Sequence, residues 1–274
     1  MAAQEVSTGV YLLPGSTRAF MGTYPPNVFL VRGQRTSALI DAGYADEHDV
    51  SARIQSLEEL GAKPGFIFLT HLHPDHAGGA TRLREATGAL VLAASAEVTP
   101  GRSGGLVDAA VADLQELDLG GRSLEIILTP GHSAGHICLF EQRDRLLFSG
   151  DHVPGEGTTI IGPEGDMAQY VHSLRRLLEY DISTICPGHG PLVRTPRRKI
   201  EELIQHRLDR EEQALACIRA GKHTLERMVK DIYPELDPRL LWMAKEQMRS
   251  HLVKLIREGR VKPAPEPEGP YTLA

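Results

Sequence analysis

The chain has 274 residues, 41% of them hydrophobic, 24% charged and only 5% aromatic, with a formal net charge of -6. These values fit a soluble protein with a sizeable core, and they exclude a global polycation built to hold nucleic acid or an anionic membrane. The charge is uneven, because residues 196–274 hold 16 Lys/Arg and 13 Asp/Glu, leaving 14 and 23 of the chain's 30 and 36 for residues 1–195.

In chain order, residues 28–31 and 37–40 read as two strands joined by a turn at Gly33, and Asp41-Ala42-Gly43 ends the second. Val50, Ile54, Leu57 and Leu60 recur at helical spacing over 49–60, with Gly61 placed to stop the helix. The apolar run at 66–69 is a short buried strand. A helix is predicted over 81–87, strands over 90–92 and 124–128, and a hairpin from 137–140 and 145–148. A helix over 171–178 and a strand over 182–186 follow. Strands mixed with helices predict an α/β architecture of sheet layers covered by helices. Residues 97–120, with Pro100, Gly101, Gly104 and Gly105, are the least regular stretch and are expected to form a mobile loop near the site.

After Thr195-Pro196 the pattern becomes helical, which predicts one domain over 1–195 and a second over 196–274. Leu203, Ile204, Leu208, Leu215 and Ile218 mark a helix over 200–218. Thr224 is placed to cap a helix ending at Ile232, and a third helix spans 239–256, closed by Gly259. Val261 then begins a strand. Three helices and a strand describe a winged-helix-like module, and such helices more often pack on a neighbouring domain than bind nucleic acid. Residues 263–270 are rich in Pro and Glu and are expected to be extended. Cys138, Cys186 and Cys217 are too few and scattered for a disulfide framework. Residues 1–10 carry neither a basic nor an apolar targeting pattern, and no segment reaches the ~20 apolar residues of a membrane span. A reducing cytoplasm and no membrane partner are expected; the sequence leaves a homo-oligomer open.

The densest chemical signal is Thr70-His71-Leu72-His73-Pro74-Asp75-His76, three imidazoles and a carboxylate directly after the apolar strand. Imidazole nitrogen and carboxylate oxygen are the donors that zinc and similar divalent ions accept. A polar turn with solvated histidines is the plainer alternative, but four ligand-type side chains this close are rarely incidental. Three downstream segments repeat one logic, a ligand-type residue at a strand end beside glycine: Gly131-His132, Gly150-Asp151 and Gly188-His189-Gly190. Glycine lets the backbone turn sharply and approach a metal closely. Together these segments predict a metal-dependent hydrolase.

With His71, His73, Asp75, His76, His132, Asp151 and His189 the chain resembles the metallo-β-lactamase superfamily in its two-metal form. The resemblance implies a four-layered αββα sandwich with the metals at one edge of the paired sheets. It implies that His71, His73 and His132 hold one ion, that Asp75, His76 and His189 hold the other, and that Asp151 bridges them. Two divalent ions would share a hydroxide ready to attack, with Asp75 and Asp151 essential to catalysis and no protein nucleophile needed. Zinc is the first expectation, and iron and manganese accept the same donors. Asp41 matches an early motif of the superfamily and is expected to orient ligands through hydrogen bonds. His136 is equally placed to do so or to be a core histidine satisfied by backbone. Ser133 and Ser149 read as structural.

A closer resemblance covers nearly the whole chain. Residues 155–160, the Tyr170 helix, Cys186-Pro187-Gly188-His189-Gly190-Pro191, the segment from His206-Arg207 to Gln213, and residues 244–261 are similar to the beta-lactamase-like protein 2 group with its winged-helix extension. That likeness implies a zinc endoribonuclease acting on single-stranded RNA, as a mitochondrial eukaryotic member does. No mitochondrial-type leader is evident, since residues 1–10 lack arginine and contain Glu5. Arg175, Arg176, Arg207, Arg210 and residues 194–199 are candidates to line a phosphate path. Pro74 and Ala77 resemble the lactonase and glyoxalase II versions as closely, which keeps open a thioester, ester, lactone or β-lactam substrate. Phe20, Met21, Tyr24 and the 97–120 loop would then supply an acyl pocket. A winged-helix binding protein with a decayed hydrolase domain is disfavoured by seven intact ligand positions. A flavodiiron-type redox role is disfavoured because no flavodoxin-like domain follows.

Overall fold

A computed structural model of the chain describes residues 2–17, 24–98 and 104–274. Two units interleave along the sequence: residues 1–129, 135–158 and 180–199 form the first, and 130–134, 159–179 and 200–274 the second. This division differs from a single boundary at residue 195. Residues 159–179 are tied to the C-terminal helices, for example by Ser250 Oγ donating to the Ile161 carbonyl at 2.6 Å and by the Arg257–Asp166 ion pair.

The first unit opens with β1 (Gln4–Ser7), β2 (Val10–Leu13), β3 (Val28–Arg32) and β4 (Ser37–Ile40), paired antiparallel in that order. Helix α1 (Glu47–Glu59) follows, with Asp46 accepting from the Asp49 amide at its start. Next come β5 (Pro64–Phe68), α2 (Pro74–Ala77), α3 (Ala80–Thr87), β6 (Leu90–Ala94) and β7 (Ala109–Val111). From β4 to β7 the strands run parallel and complete a seven-stranded sheet. The second sheet contains β8 (Glu116–Asp118), β9 (Ser123–Leu128), β10 (Ile137–Glu141), β11 (Leu146–Gly150) and β12 (Thr184–Pro187), in the order β12-β11-β10-β9-β8. Only the β11–β12 pair is parallel.

The sequence Val28-Phe29-Leu30-Val31 shows no polar alternation because both faces of its sheet are covered. Phe29, Val31, Ile40 and Phe68 face Ile126, Leu139 and Phe148 of the second sheet in one core, where the Phe29 and Phe148 ring centroids lie 5.3 Å apart. Leu30, Leu39, Ile67 and Val91 pack on the other face against Val50, Leu57 and Leu83 of α1 and α3. With period-two side chains, each inner strand thus feeds two cores at once. These two cores hold the strand ends in fixed positions.

The second unit contains α4 (Met167–Leu177), most of α5 (Pro196–Arg219), α6 (Leu225–Ile232), α7 (Leu241–Arg257) and the two-stranded ribbon of β13 (Val261–Lys262) and β14 (Thr272–Leu273). Leu215, Ile218, Met228, Val229, Leu252 and Leu255 form its core, closed by Val261 and Tyr271 of the ribbon. Thr224 caps α6 by accepting from the Arg227 amide. The last helix begins at Leu241 rather than 239, because a short 3-10 turn at Pro238–Leu240 precedes it. The 263–270 stretch is not extended throughout: it bends and closes a turn in which the Gly269 amide donates to the Glu266 carbonyl at 3.0 Å, so that β14 returns to pair antiparallel with β13. The stretch 97–120 differs from a plain loop, since it contains β7 and β8. Pro100 and Gly101 lie outside the described residues.

Burial with the neighbouring Arg207, Arg210 and His251 pushes His206 down to about 4. Burial also lowers His251, against the pull of Glu211. Both rings resist protonation in the folded state more than in the unfolded chain, whose histidines take up protons near 6.5. The unfolded state therefore binds more protons below about pH 6.5, and stability falls as pH drops through that window toward about 4. Thermal melts across this range should show a falling midpoint. The double variant His206→Gln/His251→Gln should flatten the slope; an unchanged slope would contradict this assignment. The three cysteines are free and buried, and no helix among the described residues is long and apolar enough to cross a membrane.

Candidate metal centre

Four strand ends of the first unit carry the donors. Asp41 follows β4, the His71–His76 segment follows β5, Asp151 follows β11, and His189 follows β12. Pro74 starts α2 at a position where no amide donor is needed, so the helix projects Asp75 and His76 while His71 and His73 precede it. Ring centroids of His71 lie 4.4 Å from His73 and 4.2 Å from His76. Two overlapping groups, His71-His76-Asp151 and Asp75-His76-His189, each bring one ligand-type atom per residue within 4.8 Å of the others. His76 Nε2 lies 3.3 Å from Asp151 Oδ1 and 3.3 Å from His189 Nε2. His189 Nε2 is 3.2 Å from Asp75 Oδ2 and 3.5 Å from Asp151 Oδ1.

Asp41 fixes the orientation of this cluster. Its Oδ2 accepts from His76 Nδ1 at 2.7 Å, and its carboxylate also takes the amide and hydroxyl of Thr70 at 2.8 and 3.0 Å. With the proton on Nδ1, His76 turns the lone pair of Nε2 toward Asp151 and His189. Asp41 has φ 61°, a left-handed conformation that Asp and Asn tolerate better than other side chains with a Cβ. His136 is fully buried; its Nε2 accepts from the Asp151 amide at 3.2 Å, and its Nδ1 pairs with Thr129 Oγ1 at 2.9 Å. It therefore contacts the backbone of Asp151.

Burial and neighbouring charge oppose one another throughout the cluster. Burial opposes charge on His76, yet Asp151 and Asp41 outweigh it and hold its pKa well above the ordinary histidine value. Burial likewise opposes charge on His189, but its bond to Asp75 and the Asp151 charge raise it. For Asp75, burial is outweighed by His189 and His76, which lower its pKa. Two Nε2 atoms 3.3 Å apart repel as lone pairs unless a proton or a cation lies between them. Imidazoles and carboxylates converging in this way fit a divalent ion of the zinc, iron or manganese kind.

His132 lies in the second unit, in residues 130–134. Its Nδ1 is 2.8 Å from the Ile160 carbonyl, so that nitrogen donates and Nε2 is the nitrogen suited to a metal. Gly131 makes its turn possible: φ is 144°, and a Cβ there would lie 2.3 Å from Tyr170 Cα.

Several contributors carry no motif signal. Asn27 donates its amide hydrogens to the Pro187 and Gly190 carbonyls, both at 2.9 Å, clasping the loop of His189. Burial raises the pKa of the Tyr44 hydroxyl, and the charges of Asp75 and Asp151 raise it further. Thr70 is fully buried and joins Asp41 to the His71 segment. Of the residues expected to form an acyl pocket, Tyr24 stands beside Gly190, while Phe20 and Met21 lie outside the described residues. Ser149 is buried and donates to the Val153 carbonyl at 2.8 Å, and Ser133 is buried with its carbonyl accepting from the Gly131 amide. Arg207 does not line a phosphate path: it is 1% exposed, lies over the Tyr170 ring at 5.2 Å and donates to the Thr159 carbonyl at 2.6 Å. Arg210 lies 4.7 Å from the Tyr233 ring centroid.

Gly188 brings its backbone close against the donors. A Cβ there would lie 2.7 Å from His76 Cε1 and 2.9 Å from Asp151 Oδ1. Gly188→Ala should cost about 1–3 kcal/mol of stability through overpacking. It should also weaken metal binding, read as a lower melting midpoint and a higher dissociation constant. Wild-type values for both would mean that this approach is not tight.

Residues 21–189 match the metallo-beta-lactamase superfamily, and residues 224–266 match the beta-lactamase associated winged helix domain. The chain is 30% identical over 273 residues to the Beta-lactamase-like protein 2 homolog of Drosophila melanogaster, covering 95% of this chain and 92% of that protein. It is 28% identical to the Beta-lactamase-like protein 2 homolog of Caenorhabditis elegans, covering 86% and 80%. Its fold matches that of a metallo-beta-lactamase family protein from Thermus thermophilus with a TM-score of 0.80 at 22% identity, covering 98% and 100%. The fold is therefore the expected metallo-β-lactamase sandwich with a C-terminal winged helix. On its strand ends stand candidate metal-binding histidines and aspartates, and the chain belongs to the metallo-β-lactamase superfamily of hydrolases.

Proposed function

We propose that the chain is a two-metal hydrolase of phosphodiester bonds in single-stranded RNA. The observation that carries the two-metal part is the convergence of five donors, His71, Asp75, His76, Asp151 and His189, more than the four that one tetrahedral ion takes. In this reading His71, His73 and His132 hold one divalent ion, Asp75, His76 and His189 the other, and Asp151 serves both. Zinc is the favoured metal. When bound, such ions activate water and polarise the electrophilic oxygen of the substrate. The chain's own residues do the rest. Asp41 and His136 hold His76 and the Asp151 backbone in register, and Asn27 holds the His189 loop. The Ser149 hydroxyl is taken up by the Val153 carbonyl, and the two-metal reading needs no serine nucleophile.

The likeness to beta-lactamase-like protein 2 homologues over 95% of the chain supports RNA as substrate. Hydrolysis of a thioester, ester, lactone or β-lactam is the second reading. It is favoured by the acidity of residues 1–195 and the 5% aromatic content, both unhelpful to a protein that must hold a polyanion and stack its bases. Free buried thiols suit a reducing cytoplasm, where we place the protein.

The test is a metal-loaded substrate panel: single-stranded RNA, a bis-phosphodiester chromogen, S-lactoylglutathione, a simple thioester and a lactone. Cleavage of RNA that disappears in the Asp151→Ala variant is the expected result. Intact RNA alongside rapid thioester or lactone hydrolysis would transfer the assignment to the second reading.

A further inference from the structure

Residues 159–161 of the second unit connect three side chains of the C-terminal helices to His132. The peptide unit between Ile160 and Ile161 is gripped at both ends. Its carbonyl accepts from His132 Nδ1 at 2.8 Å, and its N–H donates to Gln247 Oε1 at 3.0 Å. A peptide unit is planar, so fixing the N–H fixes the direction of the carbonyl. The flanking peptide units are held as well. The Thr159 carbonyl accepts from Arg207 Nη2 at 2.6 Å, and the Ile161 carbonyl from Ser250 Oγ at 2.6 Å. Three consecutive peptide planes thus have their orientation set by α5 and α7.

The turn carrying His132 is clamped from the other side by α4. Ser173 Oγ donates to the Pro130 carbonyl at 2.8 Å, the Asp166 amide donates to the Gly131 carbonyl at 2.8 Å, and Tyr170 leaves no room for a side chain at Gly131. With that backbone fixed, the remaining freedom of His132 is rotation of its ring, and the Ile160 carbonyl selects one orientation. We propose that Arg207, Gln247 and Ser250 are positioning residues for His132, aiming its Nε2 through the backbone of residues 159–161. The inference rests on the ligand role proposed for His132 above. It gives helices α5 and α7 a part in placing this ligand.

Gln247→Leu removes the acceptor while keeping the size, Ser250→Ala removes one donor, and Arg207→Lys keeps charge but loses the planar reach to Thr159. Ion stoichiometry and dissociation constants are measured by chelator competition, and ring geometry is followed by the visible spectrum of the cobalt-substituted protein. Gln247→Leu should weaken one ion about 10-fold, leave the other unchanged and alter the cobalt bands. Gln247→Glu, which restores an acceptor oxygen, should recover both. Variants that fold normally by circular dichroism yet bind both ions with wild-type constants and spectrum would overturn the proposal. If Arg207→Lys does not fold, Gln247→Leu and Ser250→Ala decide by the same criterion. A wild-type chain that binds fewer than two ions would overturn the ligand reading itself, and this inference with it.

Discussion

Replacing Asp151 with alanine is expected to lower kcat/KM by about a thousandfold or more, equivalent to about 4 kcal/mol of transition-state stabilisation. Its Oδ1 lies within 3.5 Å of the Nε2 atoms of both His76 and His189, where the donors converge. The loss should be chemical and not structural. Asp151 follows β11, and its backbone amide, which pairs with His136, is retained in the alanine variant. Far-ultraviolet circular dichroism should therefore be unchanged while turnover disappears. Asp75→Ala should behave alike, because Asp75 faces His189 at 3.2 Å from the short helix α2. Wild-type turnover in either variant would remove the metal-dependent mechanism.

Replacing Asp41 should harm both stability and metal binding, in proportions that depend on the substitute. The side chain is buried, and it holds the Thr70 amide, the Thr70 hydroxyl and His76 Nδ1. Asp41→Ala removes one partner of a buried pair and places alanine in a left-handed conformation, which should cost about 3–5 kcal/mol. Asparagine keeps the backbone conformation, so Asp41→Asn should fold. It lacks the charge that holds the Nδ1–H of His76, and its metal affinity should fall about 10–100-fold. Denaturant melts and chelator competition separate the two effects. Equal affinity in wild type and Asp41→Asn would show that this carboxylate does not orient the ligand.

The donors themselves are legible in the sequence because ligand-type side chains crowd the end of an apolar strand, and because His132, Asp151 and His189 each follow a glycine. Two of those glycines have steric reasons: a side chain at Gly131 would strike Tyr170, and one at Gly188 would strike His76 and Asp151. The sandwich strands can be located from unbroken apolar runs such as 28–31, whose faces meet two different cores. Strands β7 and β8 cannot, since each is three residues long and mostly exposed, with too little apolar pattern to register. Asn27, Thr70 and Tyr44 escape sequence reasoning for a different reason. Each is one polar residue with no periodic partner, and Asn27 acts on carbonyls 160 and 163 residues away. Arg207 is misplaced by its sequence context because a charge in a basic helix normally faces water, whereas here Tyr170 and the Thr159 carbonyl compensate its burial.

The most direct test is the metal content of the wild-type chain after reconstitution with zinc, iron or manganese and removal of unbound ion, measured by elemental analysis. Two equivalents of divalent metal per chain, reduced in the Asp75→Ala and Asp151→Ala variants, are predicted from the seven proposed donors, five of which converge at His71, Asp75, His76, Asp151 and His189. A chain that remains empty under these conditions would contradict a metal centre at His71, His73, Asp75, His76, His132, Asp151 and His189.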